Sequence, residues 1–163
     1  MHDGAIVVNT TPLIALSAAG YIEVLPLLYE RILVPREVAD EIRAGGAQSP
    51  GVRELSETAK FEVRVEHTEI PAYLVNALDR GEASVIATAL LNNIRLVCID
   101  ETVGRRVARL AGLDLTGSIG ILIKAKRQGF PVVIRDAIRR MRERGIWLSV
   151  KVIDAALAAA SEE

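Results

Sequence analysis

The sequence predicts an α/β domain in which helices cover a central, mainly parallel β-sheet. Two apolar runs, residues 5–8 (AIVV) and 95–99 (RLVCI), have the length and composition of buried strands. Each run is followed directly by a segment with helical periodicity, and this alternation is typical of parallel sheets. A polar residue, Asn9 or Asp100, stands at the carboxyl end of each run. Ligands bind at that end of an open α/β sheet, so these two residues are the first candidates for a functional site.

The composition restricts the kind of protein. The 163 residues predict one domain spanning 1–163, since half of them are apolar and a quarter are charged. A formal net charge of −1 excludes a strongly basic nucleic-acid binder but permits a local basic rim. The single cysteine, Cys98, excludes an internal disulfide framework, and the apolar stretches are too short to span a membrane. We therefore expect a cytoplasmic protein with no membrane partner.

The first helix follows the first strand without a linker. Thr10 or Thr11 is a suitable N-cap, and Pro12 supplies the backbone angle that the first turn of a helix requires. Gly20 predicts its end.

The remaining segments are assigned from apolar periodicity and from glycine and proline positions. Helices are predicted at 21–29, 35–43, 52–58, 71–78, 82–91, 102–111, 119–127, 133–144 and from 149 to near the end. Residues 61–66 resemble an edge strand, 113–115 a short parallel strand and 47–51 a loop, whereas 32–34 are too few to assign. The helical C-terminal third is expected to pack across the sheet or against a second copy.

Glu82 lies on the apolar side of its predicted helix. At about 100° per residue, Val85, Ile86 and Ala89 cluster on one side, and Glu82 falls near the middle of that stripe. A carboxylate directed at the core is costly unless it is paired or bound to a cation. A first-turn acid that favours the helix dipole and still reaches water explains Glu82 equally well.

The helix predicted at 35–43 contains three acids, which lie at different angles from its apolar stripe. Glu41 lies at the edge of the apolar stripe, Glu37 about 100° from its centre and Asp40 nearly opposite. Glu41 is therefore the best inward-facing candidate, although a solvated acid is the commoner case.

Asp100 has two interpretations. Aspartate is a preferred N-cap, so Asp100 could simply cap the next helix, with Glu101 as a first-turn acid. If the two strands are neighbours, however, Asn9 and Asp100 lie close together. With Glu41 and Glu82 they would form a cluster of oxygen ligands suited to Mg²⁺ or Mn²⁺. The histidine and cysteine spacing does not support zinc, and the chain has no glycine-rich phosphate loop.

Five segments stand out by their order and spacing: NTTPLIALSAAG, VPREVADEI, LDRGEASVIATAL, LVCIDETVGRRVARLAGL and LTGSIGILIKAKRQG. Together they resemble the PIN-domain nucleases. The resemblance extends from about Ile6 to about Gly129 and is closest to a small prokaryotic, VapC-like branch with an NTSPLIAL-type first motif. It implies a three-layer α/β/α fold and a metal-dependent ribonuclease site with four acidic positions. It also implies the toxin-like role of a toxin–antitoxin pair, with a small antitoxin and a homodimer as partners.

Carried over residue by residue, the four acidic positions fall on Asn9, Glu41, Glu82 and Asp100. Thr10 matches the hydroxyl residue that follows the first acid, and Glu101 is a further supporting candidate. The departure is Asn9, where most of these nucleases have aspartate. An amide oxygen can ligate a hard cation, but the cluster then has three carboxylates rather than four, and its metal affinity should weaken.

The leading functional expectation is therefore RNA phosphodiester hydrolysis, with Asn9, Glu82 and Asp100 holding one or two cations and Glu41 as a ligand or as the orienter of water. The RNA-contact candidates are Arg105, Arg106 and Arg109, opposite an apolar stripe of Val103, Val107 and Leu110. A solvated helix face explains these arginines equally well. A non-catalytic PIN-like binding module, favoured by Asn9, competes with the nuclease. A receiver-like signalling domain fits poorly, because Asn9 has no acidic neighbour.

Overall fold

A five-stranded parallel sheet forms the centre of the computed structural model, which describes residues 3–46, 51, 55 and 60–162. The strands are β1 (Asp3–Val8), β2 (Tyr29–Val34), β3 (Phe61–Val63), β4 (Leu96–Cys98) and β5 (Asp114–Thr116). Their order is β3-β2-β1-β4-β5, and every neighbouring pair is parallel. The predicted fold class, a three-layer α/β/α arrangement, is confirmed.

Helices cover both faces of this sheet. Within the described ranges they are α1 (Thr10–Ala18), α2 (Val24–Leu28), α3 (Arg36–Ala44), α4 (Ala72–Ala77), α5 (Arg80–Leu91), α6 (Thr102–Leu110), α7 (Ser118–Arg127), α8 (Ile134–Glu143) and α9 (Val150–Ala159). Helix α5 packs on β1 and β4 and contacts α3 and α6, whereas α7 packs against α1, α2 and α9. In the part of the chain that the structure describes, no helix is both long and apolar enough to cross a membrane.

Some predicted boundaries change. The apolar run at 32–34 is the end of β2, which begins at Tyr29 and therefore shortens the helix predicted at 21–29. The strand predicted at 61–66 is at the sheet edge but ends at Val63. The strand predicted at 113–115 is shifted by one residue. The helix predicted at 52–58 and the loop at 47–51 lie mostly outside the described residues.

The topology places the two polar strand ends side by side. Strand β1 is central and pairs with β4, with Val8 opposite Cys98. The pairing continues one residue further, where the Asn9 amide donates to the Cys98 carbonyl at 3.0 Å. Asn9 and Asp100 therefore emerge at the same edge of the sheet, as the sequence predicts.

Candidate active site

The candidate site lies at the carboxyl end of the sheet and is built from five chain segments. Its polar side chains come from the β1–α1 junction, from α3, from the start of α5, from the β4–α6 junction and from the start of α7. They are Asn9, Thr10, Thr11, Glu41, Asp79, Glu82, Asp100, Glu101 and Ser118.

Asn9 is one of the deeply buried polar groups of the site. Only 3% of the residue is exposed, and its Nδ2 donates to Glu101 Oε2 at 3.4 Å. The Glu101 carboxylate fixes the amide orientation, because the reversed amide would place two acceptors face to face. The Asn9 Oδ1 atom is then buried without a hydrogen-bond partner among the described residues. A buried acceptor left unpaired costs about 1–3 kcal/mol, so this oxygen gains from any bound group that donates to it or coordinates it.

Thr10 and Thr11 do not cap α1 as expected. The N-cap position belongs to Asn9, and α1 begins at Thr10. The two hydroxyls instead donate to acids of the site: Thr10 Oγ1 to Glu41 Oε2 at 3.1 Å, and Thr11 Oγ1 to Glu101 Oε1. The threonine pair therefore positions two carboxylates.

The inward orientation predicted for Glu41 is wrong. Glu41 is exposed, and the buried acid of α3 is Glu37, which accepts from the Thr68 amide and hydroxyl at 2.9 Å each. Glu41 nevertheless reaches the site, because its carboxylate bends back to Thr10. Burial raises the pKa of Glu41, the Thr10 hydrogen bond opposes this rise, and the charges of Asp79 and Glu101 add to it.

Glu82 is buried, as the helical periodicity suggests, with 6% of the residue exposed. Burial, followed by the charges of Asp79 and Glu101, raises the pKa of Glu82 from 4.5 to about 7. The environment of this carboxyl group therefore disfavours its charged form, and a bound cation would lower its pKa again.

Asp100 does not cap α6. The N-cap position of that helix is Glu101, and both Asp100 oxygens accept from Ser118: Oδ1 from the amide at 2.8 Å and Oδ2 from the hydroxyl at 2.9 Å. Burial raises the pKa of Asp100, while the two Ser118 hydrogen bonds lower it. Each carboxylate oxygen keeps a second acceptor site, so Asp100 is oriented by α7 and still able to bind a cation.

Three glycines border the carboxylates. A Cβ atom on Gly81 would lie 2.7 Å from Glu41 Oε2, and one on Gly117 would lie 2.6 Å from Asp100 Oδ1. A Cβ atom on Gly104 would lie 3.2 Å from Glu82 Oε1. Real Cβ contacts are essentially never below 3.0 Å. The absence of side chains at these positions is thus part of what lets the acids lie where they do.

Asp79 is the residue that the sequence analysis missed. It is the N-cap of α5, and its Oδ1 accepts from the Glu82 amide at 2.8 Å. Its charge acts on both Glu41 and Glu82. The signal was present as the D-x-x-E spacing of Asp79 and Glu82, which is typical of a helix start.

The arginines of α6 divide into two groups. Arg105 is partly buried and donates to the Ile99 carbonyl at 2.9 Å, whereas Arg106 and Arg109 are exposed. The apolar stripe on this helix does not form its core face. Gly104 and Ala108 are buried, while Val103 and Leu110 are 58% and 81% exposed. The small residues allow α6 to pack closely, which turns the larger apolar side chains outward.

A divalent cation fits the chemistry of this donor set. Among the residues that the structure describes, no three His, Cys, Asp or Glu side chains form a ready-made metal site. Asn9 Oδ1 and the carboxylates of the site, however, are the oxygen ligands that Mg²⁺ and Mn²⁺ prefer. Burial and the charges of Asp79 and Glu101 raise the pKa of Glu82, and a cation bound here would favour its charged form.

Comparison with known proteins agrees with this fold. Residues 5–162 match a family model described as a PIN domain. No curated protein and no solved structure matches the chain.

Proposed function

Because the chain belongs to the PIN-domain family, whose fold is that of nucleases, we propose that it is a ribonuclease dependent on Mg²⁺ or Mn²⁺. The observation that carries the proposal is the buried Asn9 Oδ1, which has no hydrogen-bond partner among the described residues and lies with Glu41 Oε2 and Asp79 Oδ1 around the Gly81 Cβ position. An oxygen acceptor in this position gains most from a hard cation.

The residues have distinct roles in this proposal. Asn9, Glu82 and Asp100 hold the cation, and Ser118 keeps the Asp100 carboxylate in place. Glu41, held by Thr10, is a further ligand of the cation and orients the attacking water. When bound, the cation supplies a lowered pKa for that water and stabilises the charge that develops on the phosphate.

RNA reaches the site along α6. Arg106 and Arg109 are exposed on this helix, which begins directly after Asp100 and Glu101, and we assign them to phosphate contacts. Arg105 has a positioning role instead, because its guanidinium is tied to the Ile99 carbonyl. Aromatic residues make up 4% of the chain, so recognition through base stacking is disfavoured.

The test is cleavage of a defined single-stranded RNA with Mn²⁺ or Mg²⁺. We expect metal-dependent cleavage that EDTA abolishes and that Asp100→Asn lowers by about 100-fold or more. Asp136→Asn, a surface acid in the first turn of α8, is the matched control and should retain full activity. Cleavage unaffected by Asp100→Asn, or none with either metal, would refute the proposal.

A non-catalytic nucleic-acid-binding module is the second candidate, since Asn9 supplies no charge to the cation. It predicts RNA binding that Arg106→Ala and Arg109→Ala weaken together, without cleavage under any metal condition. The cleavage assay and a binding titration on the same RNA separate the two candidates.

The partners are part of the proposal as well. We propose a toxin-like role with a small antitoxin, and a homodimer in the cytoplasm. The exposed Val103 and Leu110 of α6 support a second copy as a partner, because exposed apolar patches mark interaction surfaces. Light scattering of the purified protein and of Leu110→Lys tests the dimer, which the substitution should dissociate.

A further inference from the structure

The space next to Gly81 is surrounded by oxygens from three separate segments. The position that a Cβ atom on Gly81 would occupy lies 2.7 Å from Glu41 Oε2, 3.5 Å from Asn9 Oδ1 and 3.6 Å from Asp79 Oδ1. These oxygens come from α3, from the end of β1 and from the residue before α5. No side chain of Gly81 stands between them.

One of the three oxygens requires a partner. Asn9 is 3% exposed, and its Oδ1 is buried without a hydrogen bond among the described residues, while its Nδ2 is directed away toward Glu101. The atom is therefore held by the fold at the edge of this space, 3.5 Å from the Gly81 Cβ position. A buried acceptor in this state indicates a ligand that donates to it or coordinates it.

The other two oxygens carry charge. Asp79 and Glu41 belong to different elements, and their oxygens lie 3.6 and 2.7 Å from the same point, the Cβ position of Gly81. Asp79 is exposed, its Oδ1 accepts from the Glu82 amide, and its side chain also hydrogen-bonds to the Glu82 carboxyl group. A carboxylate has about four acceptor sites, so Asp79 can make these bonds and still coordinate a cation. Two carboxylates and one amide oxygen form a donor set for a hard divalent cation and exclude an anion.

We propose that Asp79 is a cation ligand that acts with Asn9 Oδ1 and Glu41 Oε2, and that Gly81 is required because a side chain there would fill the space they share. This inference rests on the proposed function, since the cation is of the same divalent class. It adds a fourth carboxylate to Glu41, Glu82 and Asp100, and this carboxylate replaces the charge that Asn9 does not supply.

A purely structural role for Asp79, as the N-cap of α5, is the competing explanation. Substitution can separate the two roles, because asparagine and serine cap helices about as well as aspartate does. Asp79→Asn keeps a capping oxygen and removes the charge. Asp79→Ser keeps a shorter cap that cannot reach the cation.

Gly81→Ala tests whether the space beside Gly81 is required, because it fills that space without changing any charge. Alanine is a better helix former than glycine, and the atom that its Cβ would meet most closely is the end of the flexible Glu41 side chain. The variant should therefore fold at least as well as the wild type while its Glu41 carboxylate is displaced. Gly4→Ala, at a position with nothing within 4 Å of the added Cβ, is the matched control.

The experiment is Mn²⁺ binding to the full-length, metal-free protein in the absence of RNA, measured by isothermal titration calorimetry. We expect Asp79→Asn, Asp79→Ser and Gly81→Ala each to weaken Mn²⁺ binding by about 10-fold or more. Their urea midpoints in EDTA should be unchanged or higher, because the Asp79 substitutions remove a repulsive charge and alanine is a better helix former than glycine. The controls Asp136→Asn and Gly4→Ala should bind as the wild type does. Asn9→Asp should restore binding when it is combined with Asp79→Asn.

The outcomes distinguish this inference from the proposed function. Equal Mn²⁺ affinity of the wild type and Asp79→Asn, or a wild type that binds no Mn²⁺, overturns the ligand role of Asp79. RNA cleavage with an unchanged affinity in Asp79→Asn would overturn it and leave the ribonuclease intact. Mn²⁺ binding that depends on Asp79 without any RNA cleavage supports this inference and refutes the ribonuclease.

Discussion

Replacing Glu82 by glutamine should stabilise the metal-free protein at neutral pH. The Glu82 carboxyl is buried, and burial together with Asp79 and Glu101 raises its pKa from 4.5 to about 7. Between these pH values the unfolded chain has released the proton and the folded protein still holds it. The free energy of unfolding therefore falls as the pH rises from 4.5 toward 7, and it levels off above that range.

The size of the effect follows from the two pKa values. One pKa unit corresponds to about 1.36 kcal/mol, so a rise from 4.5 to about 7 sets an upper bound of about 3 kcal/mol. Because the site opens toward solvent beyond the sheet edge, we expect about 2 kcal/mol, or roughly 4–8 °C in Tm for a chain of this size. Glutamine resembles the protonated acid. Glu82→Gln should thus match the wild type near pH 5 and exceed it near pH 8.

The assay is urea unfolding in EDTA at several values between pH 5 and pH 8, followed by far-UV circular dichroism. Fluorescence is a poor reporter, since the single tryptophan, Trp147, is 83% exposed in the fold. Glu69→Gln, at an exposed position, is the control and should follow the wild-type curve. Parallel pH profiles for the wild type and Glu82→Gln, or a variant less stable at pH 8, would refute the reasoning.

Three further predictions follow from the same contacts. Asn9→Asp adds a negative charge to the acids, so without metal it should lower the free energy of unfolding by about 1–2 kcal/mol. The same substitution should strengthen Mn²⁺ binding, and thermal melting with and without Mn²⁺ measures both effects. Ser118→Ala removes the hydroxyl that donates to Asp100 Oδ2 and should cost about 1–2 kcal/mol in urea unfolding, with cleavage reduced but not abolished. Glu37→Gln should cost stability above pH 5 and match the wild type at low pH. Burial alone would raise the pKa of Glu37, but the hydrogen bonds that its carboxylate accepts outweigh burial and lower the pKa. The stability that this carboxylate contributes is therefore lost when the pH falls.

The sequence predicts the centre of the fold better than its margins. Strands β1 and β4 are apolar on both faces and are followed by clear helix starts, so their identity and the proximity of Asn9 and Asp100 could be predicted. Strand β2 could not be assigned from 32–34 alone, because its first residues, Tyr29–Arg31, do not continue the apolar run. Its pairing with β1 over Asp3 to Val7 decides its length, and that pairing is not a local property.

In the candidate site too, some features follow from local sequence and others depend on distant contacts. Glu82 could be predicted from helical periodicity, although α5 is in fact buried on all sides from Gly81 to Ala89. Glu41 could not, since Ala39 extends the buried face of α3 away from it and Thr68, 31 residues along the chain from Glu37, satisfies that buried acid instead. A pattern within one helix contains no information about such a distant donor. Asp79 was missed because an exposed helix cap is, by itself, an ordinary feature.

The three glycines that border the acids determine how the site can be lost by mutation during evolution. A single nucleotide change converts a glycine codon into an alanine codon, and at Gly81 or Gly117 the new methyl group would lie closer than 3.0 Å to a carboxylate oxygen. The encoded chain would keep every acid of the site and could still fold. Descendants of this gene can therefore lose the site while all of its charged residues remain. A homologue with an intact site is recognised by its glycines at these positions as well as by its acids.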